Sequence, residues 1–100
     1  IYNTMNNEPF LGKLVSPDSF FVNWNGDMGL SSIWPIKDQS TGKFRNDYEI
    51  CEWFSRKETA IIIEIKEPVE DESIGCKVLI LNHDKPKIGW VSVHTLKILT

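Results

Sequence analysis

Two histidines, two cysteines and a run of acids are the residues with the most obvious chemistry to offer. His83 and His94 with Cys51 and Cys76 are four donors of the kind zinc takes. No pair stands at the short Cys-x-x-Cys or His-x₃-His spacing of a structural zinc site. They read instead as surface histidines and buried thiols, with His94 either facing solvent or bonded to backbone. No serine lies in a Gly-x-Ser-x-Gly elbow, and neither cysteine has a histidine at a recognised family spacing. The chain is therefore expected not to be an enzyme and to hold no metal or cofactor. The acids Glu67, Glu70, Asp71 and Glu72 carry the oxygens that calcium takes, but lack the alternation and the glycine of a calcium loop. They read as a solvated loop. Lys77, Lys85 and Lys87 beside Trp90 form a basic-aromatic patch of the sort that stacks single-stranded bases, although such a patch is common on small barrels. Of the four tryptophans, Trp24, Trp34, Trp53 and Trp90, some must serve the core. One or two left exposed would point to a protein partner.

Length and charge bound what can position these groups. One hundred residues suit one domain with a modest core. Hydrophobic residues at 41% and charged residues at 25% are globular rather than disordered. Eleven basic against fourteen acidic residues give a net charge of −3, without a global polyanion-binding signature. The acids concentrate in Glu64–Glu72, and lysines dominate after Ser73. Two cysteines make no secreted-type disulfide framework, and reduced thiols in a cytoplasmic setting are expected. No apolar run approaches the ~18 residues of a transmembrane helix, so no membrane is expected. Met5 is a candidate start, with Ile1–Thr4 a remnant ahead of it.

In chain order, Ile1–Pro9 reads as a loose polar arm and residues 10–100 as the domain. Phe10–Val15 is a first strand, Ser16–Ser19 a turn around Pro17, and Phe20–Trp24 a second strand ended by Asn25-Gly26-Asp27. In Met28–Phe54, Pro35 argues against a central strand and Asp38–Lys43 is a polar loop. Asp47–Phe54 fits a helix or a strand, and extended structure is preferred. Thr59–Ile65 is a strand with Ile61, Ile63 and Ile65 on its core face and Ala60, Ile62 and Glu64 on the other. Glu70–Gly75 is an acidic loop. Cys76–Leu81 is a strand that buries Cys76, Val78 and Ile80, and Asn82–Pro86 is a turn. Lys87–Leu99 reads as strand, 3₁₀ turn (Ser92–Thr95) and strand, with Gly89 marking a bend or a close backbone approach.

Five short strands cannot bury both faces as an open sheet, but a curled barrel removes most of the edge. The expected fold is mainly all-β, a small five-stranded barrel with a 3₁₀ turn before its last strand. The segment Gly89-Trp90-Val91-Ser92-Val93-His94-Thr95-Leu96 resembles the closing Gly-aromatic-apolar-Pro-Ser-Asn-Tyr-Val element of Src-homology-3-like barrels. Within that fold, Gly12-Lys13-Leu14-Val15 and Lys87–Leu99 are most similar to small barrel proteins of tailed bacteriophages, and the Gly-Trp-Val-Ser ending also resembles cell-wall-binding barrels.

The resemblance implies that residues 20–54 form an enlarged first loop. It also implies that Ser92 and Thr95 replace the groove-forming proline and tyrosine, so polyproline peptides are not an expected ligand. Nucleic-acid-binding relatives carry a Gly-rich first hairpin that Gly12 and Gly26 do not reproduce. The first reading is thus a non-catalytic interaction or assembly module, phage-encoded, acting in the host cytoplasm or the virion through a protein partner or self-association. A nucleic-acid-binding barrel is the second reading and a cell-wall-binding barrel the third. The candidate binding residues are Trp34, Trp53, Phe54, Lys77, Lys85, Lys87 and Trp90.

Overall fold

In the computed structural model, residues 10–38, 40–43, 49–66, 74–81 and 84–99 are described. The N-terminal arm, Phe44, Tyr48, the acids Glu67–Glu72 and His83 lie outside them. Among the described residues seven strands form one antiparallel sheet: β1 Leu14–Pro17, β2 Asp27–Ser31, β3 Ile50–Ser55, β4 Ala60–Lys66, β5 Gly75–Ile80, β6 Lys87–Ser92 and β7 Leu96–Ile98. The order across the sheet is β3-β2-β6-β5-β4-β1-β7. The sheet curls through 214° into an open half-barrel. This replaces the closed five-stranded barrel expected from the sequence. Five of these strands answer to the five expected and are consecutive, as β6-β5-β4-β1-β7, but the first starts only at Leu14, because Phe10–Lys13 is a turn closed by the Lys13 N–H on the Phe10 carbonyl at 3.2 Å. The other two come from the 20–54 segment, whose β2–β3 hairpin joins β6 through Ser31 and Trp90.

The meander β4-β5-β6 sets the core. Cys76, Val78 and Ile80 point inward as their alternation predicts, with Val15, Leu30 and Phe54 packed against them. Their partners on β4 are the reverse of the expected face. Ala60 pairs with Ile80 and Ile62 with Val78, and Ile62 is 1% exposed. Ile63 then points outward, 43% exposed, and a bulge between Ile62 and Glu64 keeps Glu64 outward too, so that Ile65 returns to pack partly on the core. Both faces of this strand are apolar in sequence, so alternation had nothing to choose between. The outward residues are used as well: Leu14, Ile61, Leu79 and Ile88 pair in one row across four strands.

Two turns differ from their sequence reading. Ser16-Pro17 belongs to β1, where Pro17 pairs with Leu96 beyond the last β4 partner, so the missing N–H breaks no ladder on that side. Phe20–Trp24 is not a strand. Asp18 accepts the Phe20 N–H on its carboxylate at 2.9 Å and caps a 3₁₀ turn over Ser19–Phe21. The extended reading of 47–54 holds where β3 begins at Ile50. Gly89 is a close approach: a Cβ there would sit 2.4 Å from Leu30 Cβ, so only glycine lets β2 settle onto β6. The 3₁₀ turn Val93–Thr95 stands before β7 as read, held by the Thr95 hydroxyl donating to the Ser92 carbonyl at 2.7 Å.

Candidate interaction surface

Two exposed aromatics, Phe20 and Phe21, sit where two 3₁₀ turns abut. The Asp18 N–H donates to the Thr95 carbonyl at 3.0 Å, fastening the start of the 20–54 segment to the turn before β7. The Phe21 ring meets Phe20 edge-on at 5.1 Å and His94 edge-on at 5.3 Å. Phe20 nevertheless remains 84% exposed. His94 Nδ1 lies 2.7 Å from the Ser92 hydroxyl, which fixes the ring beside Phe21.

Three residues on, a second turn presents Trp24 at 94% exposure. Asn23 builds that turn. Its side-chain oxygen accepts the N–H of Asn25 at 2.9 Å and of Asp27 at 3.0 Å, and its carbonyl accepts the Gly26 N–H at 2.9 Å. The Arg56 N–H then ties the turn to β3 through the Gly26 carbonyl. Asn23 thus holds a large apolar ring in water on a hydrogen-bonded turn rather than on a frayed loop. Phe20 and Trp24 belong to the aromatic-rich 20–54 segment but are not among the seven candidate binding residues. Asp18 and Asn23, each placed to cap the backbone that follows, were the signal against reading their run as a strand.

The expected candidates scatter. Phe54 is fully buried in the core, so its side chain cannot meet a partner in the folded chain. Trp53 alternates with it and is half-exposed on the other face of β3. Trp90 is only 7% exposed although it lies outside the main core, on the outer face of β6. There Lys77 on β5 and Lys66 on β4 hold their ammonium groups 5.9 and 6.0 Å from its ring centroid. Trp34 lies on the same face, its indole stacked on Gly75: a Cβ at 75 would come within 2.5 Å of the ring.

The lysine patch is not one patch. Lys77 does meet Trp90, and also stands 4.0 Å from Glu64. Lys85 is exposed in the β5–β6 turn, away from Trp90 along the strand. Lys87 is structural. Its ammonium donates to the Trp53 carbonyl at 2.8 Å and pairs with Glu58 at 3.2 Å, and each side chain is 13% exposed. Glu58 in turn accepts the Ser55 N–H at 2.9 Å, so the pair clasps the end of β3 to the start of β6.

The thiols are free: Cys76 is buried and Cys51 exposed. Burial pushes the Cys76 thiol up to about 12 and raises that of Cys51 as well, so neither is poised as a thiolate. Among the described residues no group of three His, Cys, Asp or Glu is arranged to hold a metal ion. Among them, too, no helix is long and apolar enough to cross a membrane. Comparison with protein-family models, with known proteins and with solved structures finds no match to this chain.

Proposed function

We infer that this chain is a non-catalytic protein-interaction or assembly module whose contact surface is the Phe20–Trp24 stretch beside the turn before β7. The observation that carries the reading is Trp24, 94% exposed on a turn built by its neighbour's side chain. A Src-homology-3-like architecture is supported by the consecutive order β6-β5-β4-β1-β7 and by the 3₁₀ turn before β7, the β2–β3 hairpin being the enlargement of the first loop. Phage origin, with action in host cytoplasm or virion, rests on the Gly12–Val15 and Lys87–Leu99 likeness. The nucleic-acid reading has less support, because Lys87 is bound within the fold and Lys85 stands apart from Trp90.

The test is a photo-crosslinking residue at position 24, with position 97 on exposed β7 as control. Position 24 should capture one protein, or a second copy of the chain, that position 97 does not. With that partner purified, Trp24→Ala should weaken binding at least about tenfold, as hot-spot tryptophans do, at an unchanged unfolding midpoint. Equal binding by wild type and Trp24→Ala would overturn the reading.

A further inference from the structure

We propose that Lys66, Lys77 and the indole N–H of Trp34 form a binding site for a small oxyanion, a phosphate or a carboxylate, on the outer face of β4 and β5. Two independent features meet there. The first is the indole: Trp34 Nε1 is buried and has no hydrogen-bond partner among the described residues. Buried N–H donors are rarely left so, because the bond to water given up on burial goes unreplaced. The second is the pairing of the strands. Gly75 pairs with Lys66 on one side and Ser92 on the other, while Lys77, two residues on, pairs with Trp90. Side chains at paired positions have their Cβ atoms about 5 Å apart, so Lys66 flanks the position on which the indole lies, and Lys77 is the next outward residue along β5.

Both ammonium groups lie over the neighbouring Trp90 ring, 6.0 and 5.9 Å from its centroid, so two positive charges stand beside one aromatic side chain. Glu64, at 4.0 Å from Lys77, is the anion in contact with the pair among the described residues, and it faces Lys77 rather than Lys66. Gly75 is what admits the arrangement, since any side chain there would lift the indole off the strand. An oxyanion held by both lysines would accept the indole N–H as its third bond. The lysine stems are the movable part: Lys66 is exposed and the Lys77 side chain one-third so. Ammonium and indole donors together suit an oxygen-rich anion, with charge-assisted bonds supplying the affinity.

The four tryptophans give four indole N–H signals in a proton–nitrogen correlation spectrum, and Trp34→Phe identifies one of them. Titration of the intact chain with inorganic phosphate should move that signal downfield and saturably, with a midpoint of roughly millimolar order. The Lys66→Gln/Lys77→Gln variant should weaken this response at least about tenfold. The other three indole signals report that each variant is folded. Acetate as a second probe tells the two chemistries apart, and a saturable response to either supports the site. A signal unmoved at about 50 mM of both anions would overturn the proposal. So would the same shift with chloride at equal ionic strength, or a response that survives loss of both lysines.

Discussion

Replacing Lys87 with methionine removes one charge, keeps the aliphatic stem and leaves two acceptors facing each other. The Trp53 carbonyl loses a 2.8 Å bond and the Glu58 carboxylate loses its 3.2 Å partner, while Glu58 still holds the Ser55 N–H. A hydrogen bond to a charged group contributes about 1.5–3 kcal/mol, and breaking a buried ion pair from one side costs about 3–5 kcal/mol. At 13% exposure on both side chains, water screens the stranded carboxylate a little, which places the expected loss near 2–4 kcal/mol. For a domain of this size that is a fall in Tm of roughly 10–30 °C. Urea unfolding followed by circular dichroism measures it. Lys97→Met, on exposed β7, serves as reference and should change stability by about 0.5 kcal/mol or less. Combining Lys87→Met with Glu58→Gln should cost clearly less than the two singles added, because each variant disables the same clasp. A Lys87→Met loss no larger than that of Lys97→Met would refute the reasoning, and Lys87 would again be available as a surface charge.

Ile62→Ala should cost about 2–5 kcal/mol and Ile63→Ala about 1 kcal/mol or less, the two being measured side by side in urea; the reverse order would mean that β4 faces the other way. Gly89→Ala forces a Cβ onto Leu30, and a loss of about 1–3 kcal/mol or more is expected in the same assay. In native labelling with a thiol reagent Cys51 should react well before Cys76, which should be reached only as fast as the chain opens. Because the folded state holds the Cys76 thiol protonated to about 12, against 9.0 ordinarily, the unfolded chain gains by ionising first. Stability should therefore fall as pH rises from about 9 toward 12, and Cys76→Ala should remove that part of the slope in unfolding curves taken across the range.

The strands that alternate against a single buried face were legible. Cys76, Val78 and Ile80 stand between polar or outward neighbours, and the structure buries them as spaced. The strand Thr59–Ile65 was legible as a strand and not in its facing. Ala60 to Ile63 is apolar on both sides, and what settles the choice is a partner strand with its own register plus an extra residue at Ile63. Gly89 was legible as a close approach, because a glycine inside an aromatic and β-branched strand needs something lying against it; which residue lies there, Leu30, depends on a hairpin some sixty residues earlier in the chain. That hairpin was the largest omission. The apolar residues of β2, Met28 and Leu30, are spaced by glycine and do not stand out by composition, and β3, between Glu49 and Arg56, reads as extended without showing its partner. Their pairing with each other and with Trp90 is a tertiary fact.

The four tryptophans show why the candidate site was harder to read than the fold. They are the same residue in the same chain, and their exposures run from 94% at Trp24 to 7% at Trp90. Nothing in the indole decides this; the backbone beside it does. Trp34 lies flat because position 75 has no side chain, and Trp90 is covered on an outer face because two lysines on adjacent strands lean over it. Trp24 is held out because Asn23 closes the turn through its own side chain, leaving no neighbouring strand for the ring to rest on. Lys77 and Lys87 divide in the same way. They come from neighbouring strands with similar sequence surroundings, yet one reaches an aromatic face and the other a carboxylate and a carbonyl. Charge and aromaticity therefore nominate residues for contact. Whether a residue is free to make that contact follows from which backbone groups and glycines the fold places against it, and on that criterion the nomination passes from Phe54 and Lys87 to Phe20 and Trp24.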